Sequence, residues 1–205
     1  MPPERITPPY HSQVASPRRI LAMLQGRASM ADDPRWRDHG AASREEYARW
    51  ADHLCGMACV QMVLGALGRP VPDIHVLRRE IQVCGGYVEQ QDGSIKGLIY
   101  SGAVAWLAQQ GIAARIILDE PADAIPAKID QGALYIASVH ARIRHPDMDP
   151  PSTGGHLVLV FGQDRLGRLR FHNPSGHTAA SRRDVRLSPE AFSRFHADRG
   201  ILIPL

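Results

Sequence analysis

Apolar residues recur at spacings of three and four through the first half of the chain, then gather into short unbroken runs in the second half. The densest stretch is residues 50–64, W-A-D-H-L-C-G-M-A-C-V-Q-M-V-L. Met57, Val60 and Leu64 form one stripe there, and Ala58, Met62 and Val63 form a second beside it. The spacing predicts a buried helix with Cys55 at or just before its first turn. Upstream, Ser16-Pro17 reads as an N-cap followed by proline at the first helical position, opening a helix through Ile20, Leu21 and Leu24 that stops at Gly26. Ser43, with Glu46 three residues on, predicts a capping box and a second helix carrying Tyr47 and Trp50. The Cys55 helix should end near Gly68. Pro72-Asp73 opens another, with Ile74, Leu77 and Ile81 on one face, and Ser101 caps a further one holding Val104, Trp106 and Leu107, closed by Gly111. Residues 84–97 read as a polar, glycine-rich loop, 112–118 as a strand and 121–131 as a short helix. From Leu134 the period changes. The runs 134–139, 157–161 and 169–172 read as strands, with 163–167 as a hairpin turn. Ser188-Pro189-Glu190 caps a short helix with Phe192 and Phe195, and 201–205 is a last strand. Helices first and strands later predict one α+β domain over residues 1–205.

Composition narrows the function classes. The chain has 205 residues and is 44% hydrophobic, enough for a sizeable core. Its net charge is +3, but the arginines are scattered and no basic run interleaves with aromatics, so no nucleic-acid partner is expected. No apolar run approaches the roughly 20 residues of a membrane helix, and M-P-P-E-R-I-T-P-P-Y has no signal-peptide core. The expectation is a cytoplasmic protein without a membrane partner. Three cysteines, Cys55, Cys59 and Cys84, form no disulfide framework, and no further ligands at short spacing suggest zinc. Cys59 reads as core, and no metal or other cofactor is implied.

Chemistry concentrates at Cys55. A helix N-terminus offers free N–H groups and the positive end of the dipole, which favour thiolate. Gly56 lets a substrate approach. A thiol nucleophile needs a base and an orienting group for that base. His156, in T-G-G-H-L-V-L-V-F, opens a strand behind Gly155, which leaves room for a ligand. Asn173, in F-H-N-P-S-G, ends the next strand. The hairpin between them predicts cross-strand neighbours, with the Asn173 carbonyl accepting Nδ1–H and Nε2 facing the thiol.

These motifs together, Cys-Gly-x-Ala-Cys-x-x-Met-Val-Leu, Gly-Gly-His before an apolar strand, and Asn-Pro, resemble the papain-like cysteine peptidases related to bacteriocin leader-processing domains (peptidase family thirty-nine). The resemblance runs from Pro9 to about Gly176. It implies a papain-like fold, with a nucleophile helix packed on an antiparallel sheet. It makes Cys55 the nucleophile, His156 the base and Asn173 the third member, where this family usually has Asp. The family's oxyanion-supporting Gln finds its counterpart in Gln13, which makes residues 16–54 a helical insertion. Trp50, Gly155 and His140 are expected to line the substrate site, with Asp52 and His53 as neighbours. The implied activity is hydrolysis of a peptide or amide bond through an acyl-enzyme. An acyltransferase of the transglutaminase type, using the same triad, and a silent peptide-binding module are the alternatives.

Overall fold

The structure, a computed structural model, describes residues 6–205; the start of the N-terminal stretch read above as lacking a signal core, residues 1–5, lies outside the described residues. Strands and helices combine as an α+β fold around one six-stranded antiparallel sheet. Helices α1 (Ile20–Leu24), α2 (Arg44–Trp50), α3 (Cys55–Ala66), α4 (Ile74–Val83) and α5 (Tyr100–Gln109) come first. Then follow β1 (Arg115–Ile117), α6 (Ile125–Asp130), β2 (Leu134–Val139), β3 (His156–Gln163), β4 (Leu169–His172), α7 (Ala179–Arg182), β5 (Val185–Leu187), α8 (Pro189–Ser193) and β6 (His196–Ile203). The sheet order is β1-β6-β2-β3-β4-β5.

The apolar runs of β2 and β3 are continuous because both faces of the sheet are covered. Leu157, Leu159 and Phe161 pack with Ile136 and Ile201 against α3, α4 and α5. Val158 and Val160, on the opposite face, join Tyr135, Phe171, Phe192 and Phe195. Helix α3 is apolar but for Gln61 for a related reason: residues 55–64 are all buried, and the Gln61 amide donates to Pro72 O at 2.8 Å.

Local signals were read correctly in part. Ser43 Oγ accepts from Glu46 N at 3.1 Å, but the Glu46 carboxylate accepts from Ala42 N instead of closing the box on Ser43. Ser16 does not cap. Its hydroxyl donates to Asp33 Oδ1 at 2.6 Å, and residues Pro17–Arg19 are a 3₁₀ turn before α1. The buried Asp33 also accepts from the Tyr47 hydroxyl at 2.7 Å, so it ties the first helices together, and that tertiary bond outcompetes the local cap. Ser101 sits inside the first turn of α5, whose N-cap is Ile99.

Helix α5 meets the loop before it backbone to backbone. A Cβ on Gly102 would lie 2.1 Å from Gly86 N and 2.4 Å from Gly86 Cα. Backbone cannot swing aside as a side chain can. Gly102→Ala is therefore expected to cost about 3 kcal/mol. Urea unfolding would check this, and a loss below about 1 kcal/mol would mean that the helix shifts freely.

Candidate active site

Helix α3 begins at Cys55 itself, without a side-chain cap. Alongside it, Gly154 and Gly155 take φ of +81° and +88°, which only glycine adopts without strain, and this double turn delivers His156 to the first position of β3. Cys55, Gly155, His156 and Leu157 share the wall of one 540 Å³ cavity with Leu98, Tyr100, Ser138 and Arg199 among its other lining residues.

Asn173 lies just past β4. The register pairs Leu159 with His172, so Asn173 is not directly opposite His156, as the hairpin alone suggested. The side chains nevertheless meet, with His156 Nε2 and Asn173 Oδ1 2.8 Å apart. The proton can be assigned by elimination. Ser175 N, which can only donate, points at the same Asn173 oxygen at 3.1 Å. That atom is therefore the carbonyl, and the imidazole must donate to it from Nε2. This reverses the tautomer expected from sequence: Nδ1, not Nε2, carries the free lone pair.

Ser175 and Arg144 belong to the same constellation, and sequence reasoning missed both. Ser175 Oγ lies 3.0 Å from His156 Nε2 and 3.3 Å from Asn173 Oδ1. Arg144 donates to that hydroxyl from Nε at 2.9 Å and Nη2 at 2.6 Å. Asn-Pro-Ser was a readable signal for Ser175, since Asn173 closes an Asx turn onto its N–H. Nothing local marks Arg144, which reaches the site from the 3₁₀ turn Ala141–Arg144 after β2.

Gln13 is 1% exposed and bridges two pieces of the site. Its side-chain amide donates to Ala51 O at 3.2 Å and Asp52 O at 3.4 Å, just before Cys55, while its backbone N–H donates to Pro174 O at 3.2 Å. Two of the expected lining residues are not at the cavity. Trp50 is buried among Tyr87 and the Arg78 guanidinium, because its helix turns that face toward the core. His140 instead caps the 3₁₀ turn, accepting from Arg142 N at 3.1 Å. Gly155 does line the cavity.

Burial dominates the electrostatics. It pushes the Cys55 thiol up to about 11, although the Leu157 and Gly56 N–H groups and Arg144 oppose the rise. It pushes His156 down to about 3, with Arg144 adding to the fall and Asn173 resisting it. The helix N-terminus thus does not make a resting thiolate here, because desolvation outweighs it. At neutral pH the pair rests as thiol and neutral imidazole.

No protein-family model matches the chain, and no curated protein matches it either. Solved structures do. The peptidase domain of Streptococcus ComA, a bifunctional ABC transporter involved in a quorum-sensing pathway, aligns with a TM-score of 0.52 at 19% identity, over 75% of this chain and 93% of that one. A C39-like peptidase from Bacillus anthracis aligns with a TM-score of 0.54 at 15% identity, over 74% of this chain and 88% of that one. Among the described residues no helix is long and apolar enough to cross a membrane. The six-stranded antiparallel sheet with α3 packed on it is the papain-like fold of the family thirty-nine peptidase domains.

Proposed function

We propose that the protein is a cysteine peptidase that cleaves a peptide or amide bond through Cys55, His156 and Asn173. The observation that carries the reading is the shared cavity: a cysteine at a helix start faces the same space as an imidazole whose far nitrogen is bonded to an amide oxygen at 2.8 Å. With Nε2–H held by Asn173, Nδ1 takes the Cys55 proton as the sulfur attacks the substrate carbonyl carbon. Starting from a neutral pair, charge separates only as the bond forms. The carbonyl oxygen becomes an oxyanion beside the α3 N-terminus and the Gln13 amide, whose 3.4 Å contact to Asp52 O is the one it would replace. Collapse expels the amine, which takes the proton back from Nδ1 and leaves a thioester. Water then repeats the sequence, giving the acid and free thiol.

Labelling tests this reading. A peptidyl chloromethyl ketone should alkylate Cys55 at least about tenfold faster at pH 7 than the half-buried Cys84, because the imidazole supplies the base. Peptide mapping would read the rates, and faster labelling of Cys84 would reject the base. Asn173→Asp should raise the Cys55 rate about tenfold, since a carboxylate against the ring favours imidazolium and hence thiolate.

A further inference from the structure

The cavity beside Cys55 has a polarity that the proposed chemistry does not use. Its walls are apolar at Leu98, Ile99, Ile116 and Leu118, and among the described residues they hold no carboxylate. One charge faces it, the guanidinium of Arg199 on β6. Among the described residues no carboxylate lies within ion-pairing distance of Arg199, although arginines across the molecule, such as Arg170, Arg186 and Arg194, are paired. Two hydroxyls stand next to it. The Tyr100 hydroxyl hydrogen-bonds with both Ser138 and Arg199. An atom built at the Cβ position of Gly154 would lie 3.3 Å from both Arg199 Nη2 and Ser138 Oγ, which places guanidinium and hydroxyl around one point, directly before Gly155-His156. That point is closely packed, with Ala197 Cβ also 3.2 Å away, so a side chain at 154 would push the guanidinium and the hydroxyl aside. Ser138 is itself 97% buried, so its hydroxyl is fixed rather than a wandering surface group.

A guanidinium without a carboxylate partner among the described residues, bonded by Tyr100 but with further N–H groups left over, matches a carboxylate at the edge of an apolar cavity: arginine offers a planar fork of donors, and the hydroxyls fill the remaining lone pairs. The apolar walls match the methylenes that carry such a group, and lowered local polarity strengthens the pairing. We propose that Arg199, with Ser138 and Tyr100, binds a carboxylate of the substrate, so that the enzyme selects peptides with an acidic group close to the scissile bond. The inference rests on Cys55 being the nucleophile of that cavity. The carboxylate has two sources, an Asp or Glu side chain or the free C-terminus of a peptide, and the same donors would take either.

Binding without turnover separates this inference from the catalytic reading. Fluorescent hexapeptides carrying Glu, Gln, Leu or Lys at each internal position in turn, each as free acid and as C-terminal amide, would be titrated against the Cys55→Ala protein. Peptides that present the recognised carboxylate should bind at least tenfold tighter than their uncharged counterparts, Gln for Glu or amide for free acid, by an amount that shrinks with added salt. Tight binding of the amidated Glu peptides assigns a side-chain carboxylate. Free acids that bind tighter than their amides whichever residue stands inside assign the C-terminus. In either case Arg199→Gln, in the Cys55→Ala background, should abolish the preference and Arg199→Lys should keep part of it, with thermal unfolding confirming that both variants fold. Equal binding of Glu and Gln peptides, with the free acids no tighter than the amides, overturns the proposal, as does a preference that survives Arg199→Gln. Because Cys55 is absent throughout, failure here leaves the alkylation result standing, and failure of alkylation leaves this one readable.

Discussion

Cys55→Ala is expected to lower peptide hydrolysis by about 10⁴-fold or more while leaving the fold in place. The size follows from the mechanism. Without sulfur there is no thioester, and water would have to attack directly, helped only by His156 and the oxyanion donors. The fold should survive because the change removes one atom from a residue 9% exposed at the cavity wall, not from the packed interior of α3. The measurement pairs turnover of a peptide substrate with urea unfolding of the variant. Hydrolysis that persists at the wild-type rate in a folded Cys55→Ala protein would end the nucleophile assignment. His156→Ala should fail nearly as badly, and the double variant no worse than either alone, since the two groups act as one unit.

The second large effect concerns acid. The protein is expected to lose stability steeply between pH 6.5 and pH 5, before its carboxylates titrate. Burial holds three imidazoles neutral far below the ordinary histidine value: His39 and His75 at about 4, and His156 at about 3. In the unfolded chain each protonates near 6.5. Below that pH the unfolded state takes up protons that the native state refuses, so the balance moves toward unfolding. Stability is therefore fully present above 6.5 and is lost as pH falls toward the native values. A fully buried histidine held at about 4 costs about 2 kcal/mol at pH 5. His75 is the clearest case. It is 0% exposed, both ring nitrogens lack a partner among the described residues, and its ring stacks on Tyr47 with centroids 5.5 Å apart. His75→Leu should flatten the loss between pH 7 and pH 5 by about that amount. Urea midpoints at the two pH values would show it, and an unchanged slope would mean that the imidazole is protonated in the native protein.

The neutral resting pair has a functional side as well. With burial pushing the thiol up to about 11 and the imidazole down to about 3, the proposed attack needs proton transfer to accompany bond formation rather than precede it. Arg144 contributes on both sides. It favours thiolate at Cys55, disfavours imidazolium at His156, and anchors Ser175, whose hydroxyl touches the His156 ring.

Much of the architecture was legible in the chain because local periodicity and global packing agree. The strands at 134–139 and 169–172 carry the bounds read from their apolar runs. The strand read at 157–161 extends by His156 at one end and Gln163 at the other, since ladder pairing continues into residues whose hydrophobicity gives no signal. Caps were the weaker guide. Ser16 and Ser101 have the right chemistry, but a buried Asp33 claims the first and the second already lies within a helix.

The sequence by itself determined the order of elements as far as β4, the helix that starts at Cys55, and the glycines that free the backbone before His156, but not α7, β5 or the His196 start of β6. Those depend on residue type and spacing within a dozen positions, where side-chain volume and backbone freedom act directly. Only the tertiary structure decided the rest: which imidazole nitrogen bonds Asn173, that Trp50 turns inward, that Arg144 and Ser175 support the ring, and that Arg199 reaches the same cavity from the last strand. Each of these depends on register, rotamer and desolvation among segments distant in the chain, and no local pattern encodes the dielectric into which a side chain folds.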